Sequence, residues 1–146
     1  MKKLLAIVIS MAMIVAMMPV GVFADTAENC TAENCSHQAA IGTTHYDTLQ
    51  EAIDAAVENS TIKLINNVTV TGKTTTIEEN KKLTLDLNGH ILSGTNTSVT
   101  QQALLIKGNV IVKDSIGSGK ICSGYTGTSG RVVSVEGNGS LTIEAG

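Results

Sequence analysis

Apolar residues in this chain recur with two different periods, and the switch falls near residue 60. In YDTLQEAIDAAVEN (46–59), Leu49, Ala52, Ile53, Ala56 and Val57 sit at helical spacing with polar residues between them. Thr48 is placed to cap the first turn, and Glu51 to reach back and complete a capping box. The pattern predicts one short amphipathic helix over 48–58, ended by Asn59 and Ser60. Beyond it the period shortens to two. Residues 61–64 and 68–70 predict short strands, and from residue 73 onward a strand-and-turn pattern repeats.

Three segments define the repeat: IEEN (77–80), IKGN (106–109) and VEGN (135–138), each 29 residues from the next. Each is followed by a β-rich stretch, LTL (83–85), VIV (110–112) and LTI (141–143). GHILSG (89–94) is echoed 30 residues later by GKICSG (119–124). Repeats of this length belong to arrays whose units cannot bury their apolar face alone. Asn88-Gly89 between apolar runs is a strong hairpin signal. Its second copy, however, carries three more residues between Val112 and Gly119 than the first has between Leu85 and Gly89. A tight hairpin loses its register on such an insertion, whereas a corner between stacked units does not.

The repeats are therefore expected to pair with one another. Ile77, Ile106 and Val135 form one inward column, Leu83, Val110 and Leu141 a second, Leu85, Val112 and Ile143 a third, and Ile91 stacks on Ile121. Asn80, Asn109 and Asn138 fall at one equivalent turn, where Asn tolerates left-handed backbone and stacked amides form a ladder. The helix covers the first exposed end of the stack. The expected fold is all-β, a right-handed parallel β-helix of about three coils with an N-terminal capping α-helix.

Three regions follow. Residues 1–24 read as a secretory signal peptide: Lys2 and Lys3, an apolar run over 4–18 broken only by Ser10, then Pro19, Gly21 and a small-residue cleavage site at Val22-Phe23-Ala24. That run is shorter than a bilayer span requires. Residues 25–44 read as a polar, Cys-containing linker. Residues 45–146 read as the N-terminal part of a β-helix domain, truncated at its C-terminus because LTIEAG (141–146) stops partway through a coil. The expected localisation is secreted or cell-surface, with no membrane insertion after cleavage.

Composition narrows the function classes. Without residues 1–24, Lys plus Arg falls from 10 to 8 while Asp plus Glu stays at 13, so the net charge moves from −3 to −5. No dense basic patch remains, which excludes a nucleic-acid partner. Tyr46 and Tyr125 are the only aromatics left, so the core is built from Ile, Leu and Val, as suits β structure.

TLQEAIDAA (48–56) with strand-rich repeats after it resembles the pectin-lyase-like right-handed parallel β-helix superfamily. HYDTL (45–49) with LTLDLNG (83–89) resembles a subgroup of secreted, repeat-bearing surface proteins of Gram-positive gut-type bacteria. The resemblance covers about residues 40–146. Enzymes of that superfamily act on polysaccharides, and its pectate lyases use acidic clusters for calcium and an Arg as base on the outer face of a parallel sheet. The resemblance implies Asp86, Asp114, Glu144 and Arg131 as catalytic candidates, with calcium as the cofactor.

The bland reading competes with this one. Asp86 alternates with inward leucines and points out, followed one unit on by Lys113 with Asp114 beside it, and then by Glu144. Acid, base, acid is a surface ladder of opposite charges, each pair contributing about 0–1 kcal/mol. Cys30 and Cys35 end a tandem duplication, TAENC TAENC (26–35), with His37 nearby. These offer three of the four ligands a structural zinc site takes, at a wider Cys spacing than usual. The competing reading is a flexible leader whose thiols form a small loop disulfide or stay free. His45 and Tyr46 read as packing at the helix start, His90 as a solvated corner residue, and Cys122 as a small apolar filler in place of Leu92.

The expected function is a secreted or cell-surface scaffold and interaction module, adhesin-like and without catalysis or cofactor. Its expected partners are host or cell-wall glycans or proteins. The alternative is a carbohydrate-active enzyme, a polysaccharide lyase or glycoside hydrolase, or its truncated remnant.

Overall fold

The computed structural model describes residues 25–26, 35–94, 102–123 and 131–144. The elements run β1 (Asp25–Thr26), β2 (Ala39–Ile41), β3 (Thr44–Tyr46), α1 (Leu49–Ala55), β4 (Ser60–Leu64), β5 (Val68–Val70) and β6 (Thr75–Ile77). They continue as β7 (Lys82–Asp86), β8 (Ile91–Gly94), β9 (Leu104–Ile106), β10 (Asn109–Lys113), β11 (Lys120–Ser123), β12 (Val133–Val135) and β13 (Ser140–Ile143). The signal-peptide region 1–24 and Cys30 lie outside the described residues.

Three sheets form. One holds seven strands in the order β1-β3-β2-β4-β7-β10-β13, and two hold three each, β11-β8-β5 and β12-β9-β6. From β4 onward, strands pair in parallel with partners 22–31 residues away. Leu83 pairs with Val110 and Val110 with Leu141. Leu85, Val112 and Ile143 line up likewise, as do Ile77, Ile106 and Val135. Alternate residues of these short strands face inward, and Ile62, Leu64, Ile77, Leu85, Leu92, Leu104 and Ile106 are wholly buried. Each such side chain contributes about 1.5–3 kcal/mol of burial.

The expected right-handed parallel β-helix is corrected by this arrangement. The seven-stranded sheet is mixed, because β2 pairs antiparallel with both β3 and β4, and β1 antiparallel with β3. Ala39–Ile41, inside the segment read as a linker, is a strand on the outer edge of β4. No closed coil is shown among the described residues, since 95–101 and 124–130, which follow β8 and β11, are not among them. Three packed sheets with one short helix are what these residues build.

Smaller corrections have plain causes. Asn88 and Gly89 do take left-handed backbone, at φ 49° and 80°. The strands on either side nevertheless enter different sheets, so no hairpin forms. Ile121 pairs with Leu92 and Lys120 with Ile91, one residue off the expected stacking. The inward column Val68–Leu92–Ile121 outweighs the identity of the repeated text. Asn80, Asn109 and Asn138 make no ladder. Four residues separate Ile106 from Val110, but six separate Ile77 from Leu83, so Asn109 pairs instead with Lys82 and Ser140. Its Oδ1 accepts from Ser140 Oγ at 2.7 Å. Asn80 and Asn138 are exposed turn residues.

The helix is held as its sequence suggests, though it is shorter. Thr48 Oγ1 accepts from Glu51 N at 3.2 Å, and Glu51 Oε2 accepts from Thr48 N at 3.0 Å. Leu49, Ala52 and Ile53 are buried, whereas Val57, past the helix end, is 75% exposed. Two polar residues attach the helix to the stack. Gln50 acts as a substitute strand edge, its Oε1 accepting from Thr76 N at 2.8 Å and its Nε2 donating to Thr76 O at 3.0 Å. Lys81 Nζ donates to Asp54 O and Ala56 O, both at 2.8 Å. A cation there satisfies carbonyls at a helix C-terminus and suits its dipole.

Candidate functional site

The carboxylates proposed from sequence meet at the corner where β7 and β10 end. Asp86 is 3% exposed, not outward-facing. As the last residue of β7 it turns back on the chain, and its Oδ1 accepts from Asn88 N at 2.9 Å and Ser115 N at 3.0 Å. Asp114 follows β10. Its Oδ1 accepts from Gly89 N at 2.7 Å and Ile116 N at 3.3 Å, and its Oδ2 accepts from Gly119 N. Each side chain closes its own turn two residues on, and each also holds the turn of the neighbouring unit.

The electrostatics agree. Burial pushes the Asp86 carboxyl up, but N–H donors from Ser115 and Asn88, the Ser115 hydroxyl and the Lys113 charge outweigh it and lower the pKa. Desolvation likewise raises Asp114, and the N–H groups of Gly119, Gly89, Ile116 and Gly117 bring it below the ordinary value. Hydrogen bonds to the charged form favour ionisation. A general acid at neutral pH needs the opposite shift. Glu144 is exposed, its backbone N–H donating to Val112 O at 2.9 Å. Arg131 is exposed ahead of β12. Among the described residues, Asp86, Asp114 and Glu144 do not converge as a set of potential metal ligands. The expected charge ladder is corrected to a pair of turn anchors with Glu144 apart from them.

A different cluster does converge, at the opposite edge of the seven-stranded sheet. Cys35 and His37 lead into β2, and His45 lies in β3 opposite Ala40. Cys35 Sγ is 3.3 Å from His37 Nδ1 and 3.5 Å from His45 Nδ1. The two imidazoles meet edge to face with centroids 5.6 Å apart. Asp47 Oδ1 stands 3.4 Å from the other nitrogen of His37. The backbone beneath is pinned: Asn66 Nδ2 donates to Cys35 O at 2.6 Å and to His37 O at 2.8 Å. Gln38 N donates to Tyr46 O, and Ile65 N to Gln38 O.

Of the zinc ligands weighed from sequence, Cys35 and His37 come together, while Cys30 lies outside the described residues. His45 was assigned to packing at the helix start; the structure turns its ring to the cysteine instead. The IGTT turn between β2 and β3 (41–44) was the available signal, because folding there carries His45 back across the strand that follows His37.

An apolar recess of about 470 Å³ lies at the β11–β13 end, walled by Leu104, Val112, Ile121, Val133, Leu141 and Ile143. Lys120 is the only titratable residue lining it, so it offers no acid–base pair. No described helix is long and apolar enough to cross a membrane. A repeat-built three-sheet β structure with carboxylate-braced corners is the class these features define. No family model matches the chain, and neither a curated protein nor a solved structure matches it.

Proposed function

We propose that this chain is a non-catalytic scaffold and interaction module of a secreted or cell-surface protein, presenting its stacked strands to host or cell-wall glycans or proteins. The observation that carries this reading is the employment of Asp86 and Asp114. The two carboxylates best placed for chemistry are engaged by backbone N–H groups and held ionised, so they act as anchors, not as acid or base. The apolar recess adds no catalytic group. The apparent signal peptide over 1–24 and the resemblance of 45–49 and 83–89 to secreted repeat-bearing surface proteins support the location.

The test is turnover. Purified protein is incubated with a panel of acidic and neutral polysaccharides, with and without calcium, and reducing ends and unsaturated products are measured. No product above a protein-free blank is expected. Calcium-dependent or calcium-independent cleavage of any member of the panel overturns the reading.

A further inference from the structure

We propose that Cys35, His37 and His45 form a zinc(II) site that ties the segment leading into β2 to β3. The scaffold reading does not require such a site, and either can fail without the other.

Three observations converge on it. The first is distance. Zn–S of about 2.3 Å and Zn–N of about 2.0–2.1 Å at a tetrahedral angle give an S···N edge of about 3.5 Å. The two observed Sγ···Nδ1 separations are 3.3 and 3.5 Å. All three ligand atoms lie within 4.8 Å of one another. One ion therefore fits between them with small side-chain adjustments.

The second is tautomer. His37 points Nδ1 at the sulfur and Nε2 at Asp47. A carboxylate on the far nitrogen fixes the proton there and leaves the near nitrogen's lone pair for a metal, the usual outer arrangement of a metal-bound histidine. The third is rigidity. Asn66, Gln38 and the β2–β3 pairing hold both arms of the site before any ion arrives.

A thiol nucleophile activated by His37 and Asp47 is the competing chemistry. It needs one imidazole on the sulfur, and the structure provides two. Thiolate with two imidazoles is a donor set that suits zinc. The fourth position falls to water or to a donor from a bound partner.

Cobalt(II) is the probe. It is titrated into the reduced full chain, followed by zinc. One equivalent is expected to give tetrahedral visible bands and a thiolate-to-cobalt charge-transfer band, both displaced by zinc. Cys35→Ser is expected to remove the charge-transfer band, and His45→Ala to weaken binding at least as much as Asp47→Asn. Asp47→Asn is expected to weaken it about 10–100-fold, as loss of an outer partner does. Cys122→Ser is expected to change nothing. Far-UV circular dichroism of each metal-free variant, matched to the parent, separates lost ligation from lost folding.

Alkylation mapped by mass spectrometry supplies a readout in the parent chain alone. Zinc is expected to protect Cys35 and not Cys122. Absence of cobalt binding by the reduced chain, binding that survives Cys35→Ser, or a Cys35 that reacts rapidly and ignores zinc would each overturn the proposal.

Discussion

Asp86 and Asp114 brace each other's turns. Asp86 at the end of β7 takes the N–H of Ser115 from the next unit, while Asp114 after β10 takes the N–H of Gly89 from the unit before. The exchange is reciprocal, and it replaces at the corner the ladder bonds that stop where the strands end.

Truncating Asp86 should therefore cost more than a surface charge does. Hydrogen bonds to a charged acceptor are worth about 1.5–3 kcal/mol, and both donors here lose their partner. Asp86→Ala is expected to lower unfolding free energy by about 2–3 kcal/mol, and Asp86→Asn by less, because the amide oxygen still accepts. Glu144→Ala, at an exposed position, should stay within about 0.5 kcal/mol. Urea denaturation monitored by circular dichroism measures all three.

Both carboxyl pKa values lie below the ordinary 3.8. The unfolded chain therefore takes up protons more readily than the folded one. The stability these groups supply is complete above the unfolded value and is lost as pH falls through the lower folded values. Stability should hold down to about pH 4 and decline below it. The Asp86→Asn, Asp114→Asn double variant should decline less steeply. Denaturant midpoints taken at intervals from neutral to acid pH would show the difference, and parallel curves would contradict it.

Gly108 sits where one turn lies against another. A Cβ there would stand 2.5 Å from Glu78 O and closer still to Lys81 O, both backbone atoms. Gly108→Ala is expected to cost about 3 kcal/mol or more, the upper range for overpacking. Gly42→Ala provides the contrast. Its φ is +60° but nothing lies within 4 Å of an added Cβ, so only the left-handed penalty of about 1–2 kcal/mol applies. Thermal melts of the two variants should rank them in that order.

Ile106 and Ile143 share an apolar alternation in sequence but not an environment. Ile106 is wholly buried between β6 and β12, and Ile143 is 76% exposed on β13. Ile106→Ala should cost about 2–5 kcal/mol through cavity formation. Ile143→Ala should cost under about 0.5 kcal/mol. Comparable losses at both positions would mean that β13 is covered in solution.

The residues that were legible from sequence share a cause. Leu83, Val110 and Leu141 could be aligned because burial repeats with the strand period and because the 29-residue echo supplies the partner. Thr48 and Glu51 could be read because a capping box is local. Asp86 was misplaced because alternation assigns the last residue of a strand to a face, whereas the turn geometry decides it. The spacing of Asp86 to Asn88-Gly89 is itself an Asx-turn signal that points to the observed bond. His45 was missed for a different reason: strands of three residues carry almost no periodic pattern, so nothing local announces that β3 folds back beside Cys35.

The turn at Gly42 and Thr43 also bears on how the chain reaches this structure. β2 and β3 are the only described strands paired across a two-residue link; every later pair closes a loop of more than twenty residues. Loop closure is cheapest where the chain is shortest, and long-range pairing is slow. The expected order of assembly runs from this hairpin and α1 outward, each strand templating the one about 29 residues behind it. A chain that emerges N-terminus first from a translocation channel would meet its own nucleus first, and its later repeats would find an edge already waiting.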